Sequence, residues 1–575
     1  MSASIGIPSR RLRTRRPPRV PRGWPWLVAL AALCGAAAGG LWLWQGGWTA
    51  LAAWTAPAAP ALVFEGTRLA DAPLLERGEV LLPFSAVKER IDPHAVWDRE
   101  AQLFILTTDR RLIVFARDDL TAWVNEEPLR LTVPMRVVND RPYVPARPLA
   151  EIYGLDVAYH AATRTVTVDR RSAPRLEGEA EAATWLRTAP GRFAPRLGRV
   201  ERGSAVRVFE EQAGWYRVRL ADGRLGFLPK DAVRLAGLVP GETAAEPSPS
   251  APRSPAGPLH LTWDLVGATP PDVARYPAMP GVNAISPTWL HLAADGSVTS
   301  IADAGYVAAA HARGWAVWPL FGNGFDPQLS HRVLHDSRLR LQVERQLLAY
   351  ARIYGFDGIN VDWENMDPAD RDAFSQFIRE LASLARAAGL VLSVDVTFPG
   401  PSPFWQLCYD RAALARAADY VIAMGYDQYT QGSPQAGPVA ALPWVEAGVE
   451  AMLTEVPAGK LVLGVPLYTR LWTETEDGLT SVALGMADAA RYLKRATAVT
   501  DAAAGLPYLT WREGAATRKM WLETPATLHA RASLARRAGL AGVASWQRAF
   551  ATGAAWEALA AGLGGEPWPA GELSP

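Results

Sequence analysis

Asp357-Gly358-Ile359-Asn360-Val361-Asp362-Trp363-Glu364 is the stretch whose reading decides the fold of the C-terminal half of this chain. Read as a strand, its period of two puts Gly358, Asn360, Asp362 and Glu364 on one face and Ile359, Val361 and Trp363 on the other. The second face is plainly core. The first therefore carries two carboxylates into an interior, where an ionised carboxylate without a partner costs several kcal/mol. Two acids kept side by side in such a place point to chemistry; the alternative is a strand end whose acids sit in solvent.

Outward from this stretch, about Leu259 to Leu563 alternates apolar strand-like runs with amphipathic helical ones, the pattern of βα units around a parallel barrel. The strand candidates are Leu259 to Val266, Val282 to Ser286, Ala316 to Leu320, Gly358 to Glu364, Val391 to Phe398, Tyr420 to Tyr426, Leu461 to Tyr468 and Gly542 to Trp546. The clearest helix follows the quoted stretch: Asp367-Pro368 starts it, Phe374, Phe377, Ile378, Leu381 and Leu384 line one side, and Gly389 ends it. It returns the chain to a parallel strand and leaves Glu364 at the C-terminal mouth, where barrel enzymes keep their chemistry. Asp362 and Glu364 have Cα atoms roughly 7 Å apart on one strand. Mutual repulsion and partial burial both raise a carboxyl pKa, which would keep Glu364 protonated near neutrality as a proton donor.

These residues resemble the signature of family 18 glycoside hydrolases, Asp-Gly-x-Asp-x-Asp-x-Glu at the end of the fourth barrel strand. The resemblance implies that Glu364 is the acid/base and that Asp362 orients the substrate's 2-acetamido group. That group would itself attack the anomeric carbon, with retention through an oxazolinium intermediate. Asn360 departs from the pattern, standing where many members have a third aspartate, and resembles a bacterial branch that acts on cell wall and spore cortex. Three further matches are Met424-Gly425-Tyr426-Asp427, Gly464-Val465-Pro466-Leu467-Tyr468 and Trp546. By the resemblance, Tyr426 would hydrogen-bond the acetamido oxygen, and Asp427 the sugar or Asp362. Asn360, Asp357, Met424, Tyr468 and Trp546 would complete a substrate-binding set, with Trp546 as its apolar floor. No cofactor is implied. The expected activity is hydrolysis of β-1,4 bonds in N-acetylglucosamine-containing glycans, peptidoglycan first, with chitin oligomers or a non-catalytic glycan-binding barrel as alternatives. Trp263, Trp289, Trp318, Trp405, Trp444 and Trp472 fall near strand ends or loops, as sugar-stacking faces or as packing.

The chain has 575 residues, enough for three or four domains, and 59 Lys+Arg against 58 Asp+Glu, so no global field recruits nucleic acid. The charge is concentrated at the start: Arg10, Arg11, Arg13, Arg15, Arg16, Arg19 and Arg22 precede a stretch without any charged residue from Gly23 to Phe64. A basic cytoplasmic tail over 1–23 and a transmembrane signal-anchor over 24–46 follow, with the remainder outside the cell membrane. The small residues at Ala56-Pro57-Ala58-Ala59-Pro60-Ala61 leave a cleaved signal and a secreted protein as the competing reading. The two cysteines, Cys34 and Cys408, are far apart in sequence and suggest no disulfide between exported domains. His331 and His335 have i,i+4 spacing but lack the glutamate of an H-E-x-x-H motif, and read as surface or capping residues with no metal site.

Between the apolar stretch and the barrel lie two modules and a linker. Over 62–170, Leu82-Pro83-Phe84 recurs as Val144-Pro145-Ala146, and Trp97-Asp98 with Phe104 to Thr107 recurs as Tyr159-His160 with Val166 to Val168. Each half reads as strand, short helix and hairpin, an α+β repeat that resembles the copper amine oxidase N-terminal-like domain, without implying copper. Residues 178–235 are short β-runs around the turn Ala221-Asp222-Gly223-Arg224 and resemble a bacterial SH3 domain, a small barrel expected to contact cell wall. One of Trp215 and Tyr216 should face the core and the other outward. Residues 236–258 read as a Pro-rich linker.

Overall fold

The computed structural model describes residues 59–242 and 255–569. They form two compact units, 59–75 with 146–242 and 76–145 with 255–569. The expected tail over 1–23, the anchor over 24–46 and linker residues 243–254 lie outside the described residues. Among the described residues no helix is long and apolar enough to cross a membrane.

Eight parallel strands close the barrel of the second unit. They are β1 (Leu259–Asp264), β2 (Ala284–Pro287), β3 in two stretches (Ala316–Val317 and Leu320–Gly322), β4 (Gly358–Asp362), β5 (Val391–Thr397), β6 (Tyr420–Met424), β7 (Leu461–Pro466) and β8 (Gly542–Trp546). Around them run α1 (Ala304–Ala312), α2 (Pro327–His335), α3 (Ser337–Tyr354), α4 (Arg371–Ala387), α5 (Arg411–Ala417), α6 (Leu442–Leu453), α7 (Pro525–Arg537) and α8 (Gly553–Gly564). Closure is direct: β8 pairs with β7 through Val465↔Ser545 and with β1 through Thr262↔Ser545. β4 lies between β3, through Leu320↔Asn360, and β5, through Asn360↔Ser393.

The helix after β4 forms as its sequence requires. Asp367 caps a short 3-10 turn by accepting from the Ala369 amide, α4 follows, and Gly389 leaves it at φ 73°. Phe374, Phe377, Ile378 and Leu381 are buried against the strands, and Trp363 stacks on Phe374 and Phe377. The outward half of the quoted stretch is thus the glue between β4 and α4, while its inward half is left to line the barrel.

Two boundaries differ from the sequence reading. Strand β7 stops at Pro466, and Tyr468–Thr475 opens a five-stranded antiparallel sheet with Gly478–Gly485, Val499–Asp501, Leu506–Glu513 and Ala516–Trp521. Pairing of Tyr468 with Gly485 and of Trp472 with Lys519 draws this segment off the barrel, over a core of its own containing Leu471, Leu509 and Met520. The repeat over 62–170 has the expected elements, with Phe84–Arg90 and Ala146–Ile152 as the two helices and Val144↔Leu82 joining the two halves. It does not cluster as one domain, however. Residues 76–145 belong with the barrel because Ile105, Leu112 and Val114 bury an apolar face with Leu341 of α3 and Leu384 of α4.

The first unit holds the small barrel. Its core contains Leu186, Val200, Val206, Val218, Leu220 and Leu228, and Tyr216 packs against it while Trp215, on the opposite face of the same strand, does not. Asp169 ties the second half of the repeat to this barrel through Arg207 at 2.9 Å and Arg219 at 2.5 Å.

Candidate active site

β4 ends at Asp362, one turn of pleat earlier than its sequence suggests, so Glu364 stands on the loop just above the ladder. What holds it there is Asn323, at the top of β3. The Asn323 Nδ2 donates to the Glu364 carbonyl at 2.7 Å and its Oδ1 accepts from the Glu364 amide at 3.2 Å. Tyr409 donates to the Trp363 carbonyl at 2.8 Å and fixes the preceding residue from the other side. Asn365, at φ 53°, turns the chain away and donates to the Phe325 carbonyl. Glu364 therefore projects from a clamped backbone, the arrangement a proton donor needs.

Inside the barrel Asn360 is fully hydrogen-bonded. Its Oδ1 accepts from Trp263 Nε1 at 2.8 Å and Ser286 Oγ at 3.1 Å, and its Nδ2 donates to Ser393 Oγ at 3.0 Å and Asp395 Oδ1 at 2.8 Å. This accounts for an amide here. A carboxylate would set two acids against each other where Asn360 now donates to Asp395, which is itself buried.

The carboxyls form a graded set. Burial lifts Asp362 to about 7, and its Oδ1 is buried without a hydrogen-bond partner in the protein. Glu364 is held well above the usual carboxyl range, by burial first and then by the charges of Asp362 and Asp427. Asp395 is raised by burial and by Asp362, partly offset by the hydrogen bond from Asn360. Near neutrality the three do not all ionise together, so a proton stays within the group. Burial first, then the acids around it, raises Tyr426 well above its ordinary value and keeps its phenol a donor.

Tyr426 and Trp546 flank Trp263, with ring centroids 6.4 and 5.9 Å from it, so Trp263, 1% exposed, is the packed floor beneath the residues expected to meet sugar. The glycines of the two short motifs are there for close approach: a Cβ on Gly425 would lie 2.6 Å from the Gly464 carbonyl, and one on Gly464 would lie 2.8 Å from the Ala423 carbonyl. Met424 is buried at the end of β6.

Two expected site residues are placed differently. Asp357 is at the opposite end of the barrel: it precedes β4, accepts from the Val317 amide at 2.9 Å and meets His311 Nε2 at 2.7 Å. Six residues of near-extended chain lie between it and Glu364, which puts the two roughly 20 Å apart, so it anchors the strand's start. Asp427 finds its partners in Tyr468, whose hydroxyl donates to it at 2.5 Å, and in Arg470 at 3.5 Å. It reaches the inserted sheet rather than Asp362, because φ 57° turns its backbone away from β6. Glu523 makes a buried bidentate ion pair with Arg531, a structural role.

Among the six tryptophans proposed for stacking, Trp263, Trp289, Trp318 and Trp472 are buried and Trp444 packs on Phe398. Trp405 is 41% exposed, and Phe325, 55% exposed, lies with its ring centroid 6.1 Å away. The pair joins the loops after β3 and β5 into an apolar platform at the mouth. Asn323, Asp395 and Phe325 were missed from sequence. Alternation along Val391 to Thr397 placed Ser393 and Asp395 on one face and could have shown the second.

Residues 301–550 match the model for glycosyl hydrolases family 18. This part of the chain belongs to that family. The family 18 domain is preceded by matches to the copper amine oxidase N-terminal domain over 63–168 and to the bacterial SH3 domain over 183–234. The chain is 29% identical over 237 residues to the cortical fragment-lytic enzyme of Bacillus subtilis, covering 40% of this chain and 54% of that protein. It is 26% identical over 233 residues to the putative sporulation-specific glycosylase YdhD of the same organism, covering 40% and 55%. It thus spans about half the length of these curated relatives. A solved chitinase from Chromobacterium violaceum aligns at TM-score 0.49 and 25% identity, over 53% of this chain and 99% of that one.

Proposed function

We propose that this protein hydrolyses β-1,4 bonds of N-acetylglucosamine-containing glycans, with retention and by participation of the substrate's own acetamido group. The observation that carries the reading is the pair at the barrel mouth: Glu364 on a backbone clamped by Asn323, above Asp362 whose buried Oδ1 lacks a protein partner. In this reading Glu364 gives its proton to the glycosidic oxygen, and Asp362 accepts from the acetamido N–H as positive charge develops there. Tyr426 donates to the acetamido oxygen, and Trp546 and the neighbouring rings support the sugar. Asn360, buried and fully paired, acts through Asp395 and the strand ladder rather than by touching substrate.

Peptidoglycan is the preferred substrate, supported by the bacterial SH3 match and by relatives named for cortex lysis. Trp215, facing away from the small barrel's core, is the expected wall contact. The apolar stretch over 24–46 is proposed as a membrane anchor that leaves the catalytic domain outside the cytoplasm. Incubation of the full chain with purified wall glycan and, separately, with chitohexaose tests the substrate. Release of muropeptides with N-acetylglucosamine at the new reducing end supports the reading; cleavage of chitohexaose alone replaces it with a chitin-directed one. Recovery of all the protein in the soluble extracellular fraction would refute the anchor.

A further inference from the structure

Away from the carboxyl group described above, the structure brings together three side chains that the sequence left apart. His331 and His335, one turn apart on α2, aim ring nitrogens at the same carboxylate oxygen of Asp370, which sits in the turn before α4. The distances are 2.7 Å from His331 Nδ1 and 2.9 Å from His335 Nε2 to Asp370 Oδ1. The two imidazoles lie 4.4 Å apart by ring centroid. Among the described residues this is the one group of three His, Cys, Asp or Glu side chains whose donor atoms all lie within 4.8 Å of one another.

Two features separate it from an ordinary surface histidine pair. Asp370 is 0% exposed, and its second oxygen, Oδ2, is buried with no hydrogen-bond partner. A buried carboxylate oxygen without a hydrogen-bond partner is costly, and a cation bound beside it would supply the missing interaction. The histidine side chains, by contrast, are 58% and 49% exposed, so their opposite ring nitrogens can keep their protons and face solvent while the inner nitrogens act as ligands.

We propose that His331, His335 and Asp370 form a binding site for a divalent transition metal, zinc by preference, with water as the remaining ligand. Two imidazoles and one carboxylate are a donor set that zinc takes in tetrahedral geometry. With bonds of about 2.0–2.1 Å, ligand atoms sit roughly 3.3 Å apart, so the two imidazoles need move outward from Asp370 by only a few tenths of an ångström. Being half-exposed, they can. The sequence reading lacked the third ligand because it comes from the loop after β4, 35 residues beyond His335.

The position suggests what the metal does. It joins α2, which follows Asn323 and Phe325, to the turn that follows Glu364, and so ties together the two loops that hold the proton donor. The metal is a structural clip between them and takes no part in the proton transfer.

The test uses the full chain, stripped with chelator and titrated with zinc chloride near neutral pH by calorimetry, with thermal melts alongside. The wild type is expected to bind one more equivalent of zinc than the double variant His331→Ala/His335→Ala, and its melting temperature should rise by several degrees with zinc while the variant's rise is lost. The metal-free melts of both proteins report whether the variant folds; a single His335→Gln variant, with at least tenfold weaker zinc binding expected, serves if the double variant does not. Cobalt(II) should give the intense visible absorption of a four-coordinate site in wild type only. Equal zinc uptake and equal stabilisation in wild type and a folded variant, or no uptake by the wild type, overturns the site.

Discussion

In the proposed reaction Glu364 and Asp362 divide one task between two environments, and each can be tested separately. Glu364→Gln removes the transferable proton while keeping size and hydrogen bonding, so kcat should fall by about 10²–10⁴ in a variant that still folds, with a melting temperature unchanged near pH 4, where the native carboxyl holds its proton. Asp362 bears on stability with a definite sign. Its native carboxyl keeps its proton up to about 7, whereas an unfolded aspartate releases it near about 3.9. Between those pH values the native state binds more protons, so stability falls as pH rises through the window and the loss persists above it. Asp362→Asn should therefore melt several degrees higher than wild type at pH 8 and close to it at pH 4; the reverse order in a pair of thermal scans would sink this account of the site. Asn360→Asp is expected to destabilise by about 1–3 kcal/mol, measured by urea unfolding, since it removes the donor to Ser393 and Asp395 and adds a buried charge.

Loops rather than strands finish the mouth. The platform of Phe325 and Trp405 spans the loops after β3 and β5, beyond any ladder, and each ring is replaceable without opening the core. Phe325→Ala with Trp405→Ala should raise KM for long glycans several-fold and leave short substrates little changed, as read from initial rates against chain length. The inserted sheet between β7 and β8 is different in kind. It depends on the Glu523–Arg531 pair where it rejoins the barrel, with side chains 1% and 0% exposed. Arg531→Leu should cost about 3–5 kcal/mol because it strands a buried carboxylate, and calorimetric melting would register that loss. Along α4 the apolar positions could be read from the sequence one by one. The insertion could not, since its strands pair with one another across 54 residues and have no local period that separates them from barrel strands.

The whole molecule joins a family 18 barrel to two smaller modules, and its two compact units do not follow the boundaries that repeats suggest. Residues 76–145 are fastened to α3 and α4 by Ile105, Leu112 and Val114, so a barrel expressed from Leu259 alone should expose Leu341 and Leu384 and be less soluble than one that starts before Glu76. From sequence alone came the closed barrel, α4 and its caps, and the placement of Asp362, Glu364, Tyr426 and Trp546, because each rests on a period or a motif carried by neighbouring residues. Tertiary structure alone decided that Asp357 is an anchor at the far end, that Asn323 and Asp395 complete the site, and that His331, His335 and Asp370 converge. Those facts depend on which strand lies beside which and where a loop turns, and distances of that kind are set by packing across the fold rather than by spacing along the chain.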